Sequence, residues 1–158
     1  MADRSPRSDL QSLTMTLVET FSHPIIEVDE MLLLETEQAR HTSSSALKSD
    51  RVSVEATLNK RYVADLVGHA FVDDANRDEL MICGRAIMHV WSECIALRFP
   101  GRVVVFYLGG RESVILRFHV RRPGVREWTD LSDREFLSQS LIEVFLLEDG
   151  KLERLPMG

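Results

Sequence analysis

The repeat of apolar residues changes its period once, at Phe99-Pro100-Gly101. Before this break, apolar residues recur at helical spacing in two stripes, one of Leu80, Cys83, Ile87, Val90, Cys94 and Leu97 and one of Met81, Met88 and Ile95. After it, residues 102–108 are β-rich, Gly109-Gly110 is a turn signal, and an alternating strand follows with Val114, Leu116, Phe118 and Val120 on one face. We therefore predict a helix buried on two sides and then a β-hairpin, in an α+β domain whose helices cover one face of the sheet.

The first part of the chain carries two further helical patterns. Apolar spacing over residues 10–21 favours a helix, although an alternation within it leaves a strand open. Good helix formers predict a second helix over residues 28–40. The Ser- and Thr-rich residues 41–49 predict a linker.

A third helical pattern begins near Asp50 or Ser53, where apolar residues recur every four positions at Val54, Leu58, Tyr62, Leu66 and Ala70. Its end is open, because residues 67–71 alternate as a short strand would. The start of the long helix is open too, since Gly84 lowers helix propensity and the helix begins either there or earlier.

Residues 132–155 allow two interpretations. Ser132 and Glu135 fit a capping box, from which a helix would continue to Gly150. Residues 141–147 are equally β-rich, and Asp149-Gly150 is a two-residue hairpin signal. We predict the hairpin, because it leaves no isolated apolar strand at the end of the chain. Together with the earlier hairpin it forms an antiparallel meander.

Composition and charge exclude several classes of protein. The 158 residues fit one globular domain, and the net charge of −6 argues against a nucleic-acid partner. No uninterrupted apolar run approaches the roughly 18 residues of a membrane span and no signal core begins the chain, so we expect a cytoplasmic protein without a membrane partner. Cys83 and Cys94 are too far apart on one helix for a disulfide, and we expect them reduced. No nucleotide or zinc motif occurs, so we expect no cofactor and no metal.

Several features follow one another along residues 50–155: Gly84-Arg85-Ala86-Ile87, Trp91, Phe99-Pro100, the hairpin of 102–122, and Ile142 to Leu152 with its Asp149-Gly150-Lys151 turn. In this order they resemble the nuclear transport factor 2-like fold, and most closely its SnoaL-like polyketide cyclase and ketosteroid isomerase branch. The resemblance implies a cone, in which a strongly curved antiparallel sheet packs on N-terminal helices and leaves an apolar pocket, and it implies a homodimer. It divides the chain into an N-terminal tail and helical extension (1–49) and a nuclear transport factor 2-like domain (50–158).

In catalytic members of this family, a carboxylate or histidine near the position of Asp65 and His69 faces the pocket. The resemblance therefore implies Asp65 and His69 as general acid/base residues, with Tyr62 as a hydrogen-bond donor to the developing oxyanion. The alternative is an aspartate at a helix end and a histidine on the surface.

Arg117, His119 and Arg121 alternate on one face of the second hairpin strand, opposite its apolar residues. If that face lines the pocket, His119 acts as an acid/base near neutral pH and the two arginines hold an anionic group of the substrate. If it faces outward, the three residues form a solvated stripe. Tyr107 and Trp91 complete the predicted substrate-binding residues.

Two functions are predicted on this basis. The first is a cofactor-independent isomerase, cyclase or dehydratase of a small hydrophobic molecule, working by general acid/base catalysis. The second is a non-catalytic dimeric module of the same fold that binds a ligand or a protein, with the acidic residues around 28–40 facing a basic partner. A homodimer is expected to form through an exposed sheet face, either Val103, Val105 and Tyr107 or Val104, Phe106 and Leu108.

Overall fold

The structure is a computed structural model that describes residues 24–36, 50–67 and 76–156. Its elements, in chain order, are β1 (Ile25–Val28), β2 (Met31–Leu34), α1 (Arg51–Leu58), β3 (Arg61–Tyr62), α2 (Val63–Val67), α3 (Arg77–Arg98), β4 (Val104–Gly109), β5 (Ile115–Val120), α4 (Arg134–Gln139), β6 (Ile142–Glu148) and β7 (Lys151–Arg154). The predicted α+β class is confirmed. The helix predicted over 10–21, the linker of 41–49 and His69 lie outside the described residues.

Helix α3 begins at a complete capping box. The Asn76 side chain accepts a hydrogen bond from the Glu79 N–H at 3.1 Å, and the Asn76 N–H donates to the Glu79 carboxylate at 2.9 Å. The helix runs on through Gly84, so a start at Gly84 is wrong. A Cβ at Gly84 would lie 2.5 Å from the Leu108 side chain, so the glycine lets α3 approach the sheet closely.

Only one side of α3 is buried. The stripe of Met81, Met88 and Ile95 lies in the core with Trp91. From the other stripe, Ile87 is buried and Leu80, Cys83 and Cys94 pack partly buried against the same core, whereas Val90 and Leu97 are exposed. The two stripes therefore form one broad buried side and not the two buried sides that we predicted. By length and composition alone, α3 is apolar enough to cross a membrane. Its buried side packs against the sheet, which is the behaviour of an amphipathic core helix.

Strands β3 to β7 form one antiparallel sheet in the order β3-β5-β4-β6-β7. Both predicted hairpins are confirmed, β4 with β5 and β6 with β7. The predicted meander is wrong, because β6 pairs with β4 instead of β5: Tyr107 lies between Arg117 on one side and Val144 on the other. The chain reaches the far edge of β4 by crossing one face of the sheet with residues 121–141.

The two faces of this sheet are covered by different parts of the chain. On the face that we call the helix face, Val104, Phe106, Leu108, Leu116, Phe118 and Val120 share one core with α3. On the opposite face, which we call the segment face, Val105, Tyr107 and Val144 are covered by Trp128, Leu131 and Leu137 of residues 121–141. Both sheet faces predicted for a homodimer are therefore covered within one chain.

The helix predicted over residues 28–40 is wrong, because residues 25–34 form a hairpin of β1 and β2. Asp29 and Glu30 make its turn with φ of 50° and 66°, a left-handed pair typical of two-residue hairpins. All four residues of β2 are buried. Burial on both sides of a strand overrides the helix propensity of Leu and Met.

This hairpin is part of the main domain, although its residues fall in the predicted N-terminal extension. Ile25, Leu32 and Leu34 belong to the same core as α3. Its acidic residues are engaged within the chain, since Glu27 pairs with Arg102 and Glu30 with Arg51. The acidic helical surface predicted for a basic partner is therefore absent from residues 24–36.

The helical pattern after residue 50 is interrupted. Helix α1 starts where predicted, with the Asp50 carboxylate accepting the Ser53 N–H at 3.1 Å, but it ends at Leu58, and Tyr62 lies in β3. A short helix, α4, does follow Asp133 but ends before β6, so the alternative of a helix that continues to Gly150 is wrong. Cys83 and Cys94 are partly buried and not disulfide-bonded, and burial raises the pKa of the Cys83 thiol.

Candidate functional site

Three of the predicted site residues, Tyr107, His119 and Arg121, come together on the segment face. The His119 ring nitrogen Nε2 lies 3.1 Å from the Tyr107 hydroxyl and 3.2 Å from a carboxylate oxygen of Glu127. Glu127 also pairs with Arg121 Nε at 2.8 Å. We call Tyr107, His119, Arg121 and Glu127 the histidine cluster. Glu127 was not predicted, because it comes from the segment that crosses the sheet.

His119, the centre of the histidine cluster, is uncharged and closed to solvent. The imidazole is 0% exposed, and burial lowers the pKa of His119 to about 4. A neutral ring satisfies its neighbours when Nδ1–H donates to the Val120 carbonyl at 3.1 Å and Nε2 accepts from Tyr107. Burial also raises the pKa of Tyr107 and that of Glu127. These hydrogen bonds are internal, so the ring reaches no substrate while residues 121–131 cover it.

Arg117 lies beside this cluster and is held by an aromatic ring. Its guanidinium carbon is 3.9 Å from the centroid of Trp128, which in turn meets Tyr107 edge-on at 5.1 Å. Burial lowers the pKa of Arg117. The side chain is therefore neither the solvated residue nor the free anion-binding residue of the two predicted alternatives: it stacks on the segment that covers the sheet.

The remaining predicted site residues lie elsewhere. Asp65 is exposed on α2, and Tyr62 is partly exposed on β3 with its hydroxyl 3.1 Å from Lys60 Nζ. Trp91 is buried in the core of the helix face, edge-on to Phe118. Within the described residues, the structure therefore does not bring Asp65, Tyr62 or Trp91 to the histidine cluster.

A second buried ionic group joins the N-terminal hairpin to the sheet. Glu55 accepts the Leu32 N–H at 2.8 Å, the Val120 N–H at 3.2 Å and Arg122 at 2.6 Å. One turn later, the Asn59 side-chain oxygen accepts the Leu34 N–H, and the Asn59 NH2 group donates to Leu32 O and to Phe118 O. We call Glu55, Asn59 and Arg122 the glutamate clamp. Burial raises the pKa of Glu55, and Arg122 and the two N–H groups oppose that rise, so the clamp is structural.

A third ionic group lines an open groove of about 450 Å³ between the first half of α3, the end of α4 and the start of β6. Glu143 on β6 takes two hydrogen bonds from Arg85, at 2.8 and 3.0 Å, and lies 3.0 Å from Arg154 Nη2. Arg77 and Asp78 line the same groove, as do the apolar residues Met81, Ile82, Leu137, Leu141 and Ile142. We call this site the arginine groove.

One backbone carbonyl, that of Leu141, is hydrogen-bonded to both α3 and the β4–β5 turn beside the arginine groove. Leu141 O accepts Arg77 Nη2 at 3.1 Å and the Gly110 N–H at 3.4 Å. Gly109 has φ of 141°, and a Cβ there would collide with Leu141 O, so the glycine allows β4 to come this close. Arg77 Nε is buried without a hydrogen-bond partner among the described residues.

Another open groove, of about 520 Å³, lies at the solvent end of the histidine cluster. Arg121, Arg126 and Glu127 line it, but His119 does not. Within the histidine cluster, Arg121 and Glu127 therefore face this groove, whereas His119 does not.

Residues 24–36, 50–67 and 76–156 contain no group of three or more His, Cys, Asp or Glu side chains that would hold a metal ion. A scan against protein-family models finds no match to the chain. Searches of curated proteins and of solved structures also find no match.

Proposed function

We propose that the chain is a ligand-binding module, which takes a small amphipathic molecule with an anionic group into the arginine groove. The observation that carries this proposal is that partly exposed guanidinium groups and exposed apolar side chains line the same concave surface. The groove beside Arg121 also joins accessible arginines to the exposed Val125, and it is the competing site for such a ligand.

The anionic group would bind the arginines. Arg85 and Arg154 have side chains that are 41% and 56% exposed, although both contact Glu143. Each guanidinium has five N–H donors, and Arg85 uses two nitrogens and Arg154 one nitrogen on Glu143. With Arg77 included, three positive groups face the two negative groups Asp78 and Glu143, which leaves one positive charge for an anion.

The apolar part of the ligand would cover side chains that water now contacts. Ile82 is 63% exposed and Leu141 is 47% exposed at the edges of the groove. Burial of apolar surface contributes about 25 cal/mol per Å². The volume falls in the range of roughly 300–1,000 Å³ that is typical of small-molecule sites.

Acid/base catalysis stays a prediction with less support. Of its three candidate residues, His119 is enclosed, Asp65 lines neither of the two grooves, and His69 lies outside the described residues. The cone-shaped nuclear transport factor 2-like arrangement also stays a prediction. An antiparallel sheet with α3 on one face supports it, whereas the sheet is open within the described residues and does not follow a simple meander.

The proposal is tested by isothermal titration with octanoate as the probe and octanol as its uncharged counterpart. We expect saturable octanoate binding that Arg154→Gln weakens by roughly tenfold or more, as for the loss of a charge-assisted hydrogen bond, with much less effect on octanol. Arg111→Gln, an exposed turn residue outside the groove, is the matched control and should bind as the parent does. Equal octanoate binding by the parent and by Arg154→Gln would overturn the proposal.

A further inference from the structure

The outer edge of β7 has no strand partner within the described residues. β7 is the last strand of the sheet and pairs only with β6. A free strand edge offers backbone N–H and C=O groups to a further strand, and proteins usually keep such an edge short and charged. This strand is four residues long, with the sequence Lys151-Leu152-Glu153-Arg154, and all but Leu152 are exposed. We call it the β7 edge.

Within a β-strand, neighbouring residues direct their backbone hydrogen-bonding groups to opposite sides in the plane of the sheet. The Leu155 N–H donates to Val144 O at 2.9 Å, so the odd-numbered residues of β7 face β6. Leu152 and Arg154 therefore direct their N–H and C=O groups to the free side. The next residue in that phase, Pro156, has no N–H, so the edge ends there.

A second β7 edge can pair antiparallel with this one only where outward-facing residues lie opposite one another. When Leu152 faces its own copy, Lys151 faces Glu153 of the second copy, and two-fold symmetry gives that contact twice. The neighbouring two-fold registers instead place Lys151, Glu153 or Arg154 opposite the same residue of the second copy. Because opposite charges across two strands attract and like charges repel, charge selects the register centred on Leu152.

We propose that the β7 edge is a homodimer surface, at which two copies of the chain pair antiparallel across a two-fold axis at Leu152. The Leu152 N–H donates to Leu152 O of the second copy, and the reverse bond follows from the symmetry. The Lys151 and Glu153 side chains form no ion pair or hydrogen bond with the described residues, so both are available. Gly150 lies opposite Arg154 in this register, and its lack of a side chain leaves room for the guanidinium.

This inference does not rest on ligand binding. It moves the expected dimer from the sheet faces, which the chain covers itself, to an edge of the sheet, where two copies form one continuous sheet. A contact of four residues on each strand is about 14 Å long, so it falls below the size of standard specific interfaces. The dimer should therefore be reversible, and association should depend on protein concentration.

Analytical ultracentrifugation tests the surface over protein concentrations from about 5 to about 500 µM, a span suited to a weak interface. We expect the mass to rise from 18.0 kDa towards twice that value. Lys151→Glu and Glu153→Lys each create two like-charge contacts, so each should raise the Kd for self-association roughly tenfold or more. Glu112→Lys, on the exposed β4–β5 turn, is the matched control and should associate as the parent does. Circular dichroism verifies that each variant is folded.

Mixing the two variants tests the register directly. When Lys151→Glu pairs with Glu153→Lys, both contacts again join opposite charges, so the equimolar mixture should associate although each variant alone associates weakly. General attraction between the variants is not expected, because each exchange changes the parent net charge of −6 by two and both variants stay negative. A parent that stays at 18.0 kDa throughout, a species larger than a dimer, single variants that associate like the parent, or a mixture that stays monomeric would each overturn the proposal.

Discussion

The ionic side chains of the histidine cluster and of the arginine groove come from opposite faces of the same sheet and are of similar types, yet they differ in what their donors contact. In the histidine cluster, the Tyr107 hydroxyl donates to His119 Nε2, His119 Nδ1–H donates to Val120 O, and residues 121–131 cover both groups. In the arginine groove, the acceptor Glu143 is largely enclosed, but Arg85 and Arg154 remain partly exposed.

This difference separates a structural network from a binding site. A fully satisfied buried network fixes the position of the elements that it joins and has no donor left for a ligand. An ionic group whose donors stay accessible beside apolar surface can exchange water for a ligand. The presence of histidine, arginine and glutamate therefore predicts a site only when their exposure is known.

The largest expected effect belongs to the glutamate clamp, the most enclosed of the three ionic groups. Glu55→Ala leaves Arg122 and two backbone N–H groups without their carboxylate, so the free energy of unfolding should fall by about 3–5 kcal/mol. Urea unfolding followed by circular dichroism measures it. Glu153→Ala, on an exposed residue of β7, should stay within about 0.5 kcal/mol of the parent. A loss below about 1 kcal/mol in Glu55→Ala would show that the clamp is not structural.

The second prediction concerns the pH dependence of stability. The pKa of His119 is about 4 in the folded chain, below its unfolded value of about 6.5, so the unfolded chain binds the proton more tightly. The stability that depends on neutral His119 is present above the unfolded pKa and is lost as pH falls towards 4. Between pH 7 and pH 5, His119→Gln should therefore lose about 2 kcal/mol less free energy of unfolding than the parent.

Glu127→Gln should change the pH dependence of the free energy of unfolding in the opposite direction. Burial raises the pKa of Glu127, so the folded chain binds that proton more tightly and gains stability as pH falls. Replacing the Glu127 carboxyl group should therefore make the loss of free energy of unfolding between pH 7 and pH 5 larger than in the parent. If His119→Gln follows the same pH profile as the parent, His119 is not the buried neutral group described above.

The third prediction tests whether octanoate binds at the arginine groove or on the segment face. Arg117→Ala removes the guanidinium that stacks on Trp128, which should lower the free energy of unfolding by about 1 kcal/mol. Octanoate affinity should not change, because Arg117 lines no part of the arginine groove. A clear loss of octanoate affinity in Arg117→Ala, measured by titration calorimetry, would instead favour a ligand on the segment face.

The smallest expected effect on stability belongs to the arginine groove itself. Arg154 and Glu143 form an ion pair with an exposed arginine, and such pairs contribute about 0–1 kcal/mol. Arg154→Gln should therefore leave the urea midpoint almost unchanged while it weakens octanoate binding. A large destabilisation would show that this arginine is part of the fold, like Arg122, and not a binding residue.

Local turn chemistry explains which parts of the fold the sequence could predict. Gly109-Gly110 and Asp149-Gly150 identified the two hairpins, and apolar periodicity identified α3. The β1–β2 hairpin was missed for two reasons: Asp29 and Glu30 make a left-handed turn without glycine, and β2 is buried on both sides. A strand of that kind is a continuous apolar run, which periodicity cannot distinguish from a buried helix.

The sites depend on contacts between distant residues. The alternation of Arg117, His119 and Arg121 predicted one shared face correctly, but the covering segment was not predictable because it follows from the pairing of β6 with β4. Arg85, Glu143 and Arg154 come from three elements, with Arg85 and Glu143 58 residues apart. Only the strand order places them together, and no local pattern in the sequence records that order.

The most direct test of ligand binding at the arginine groove is a titration with octanoate followed by the Nε–H signals of the arginines in NMR spectra. Arg77, Arg85 and Arg154 line the groove, whereas Arg117 and Arg121 belong to the segment face, so one spectrum contains both the site and its control. We predict saturable shifts of the Arg85 and Arg154 signals with Arg117 and Arg121 unchanged. Saturable shifts confined to Arg117 and Arg121, or no saturable shift at any arginine, would contradict the account.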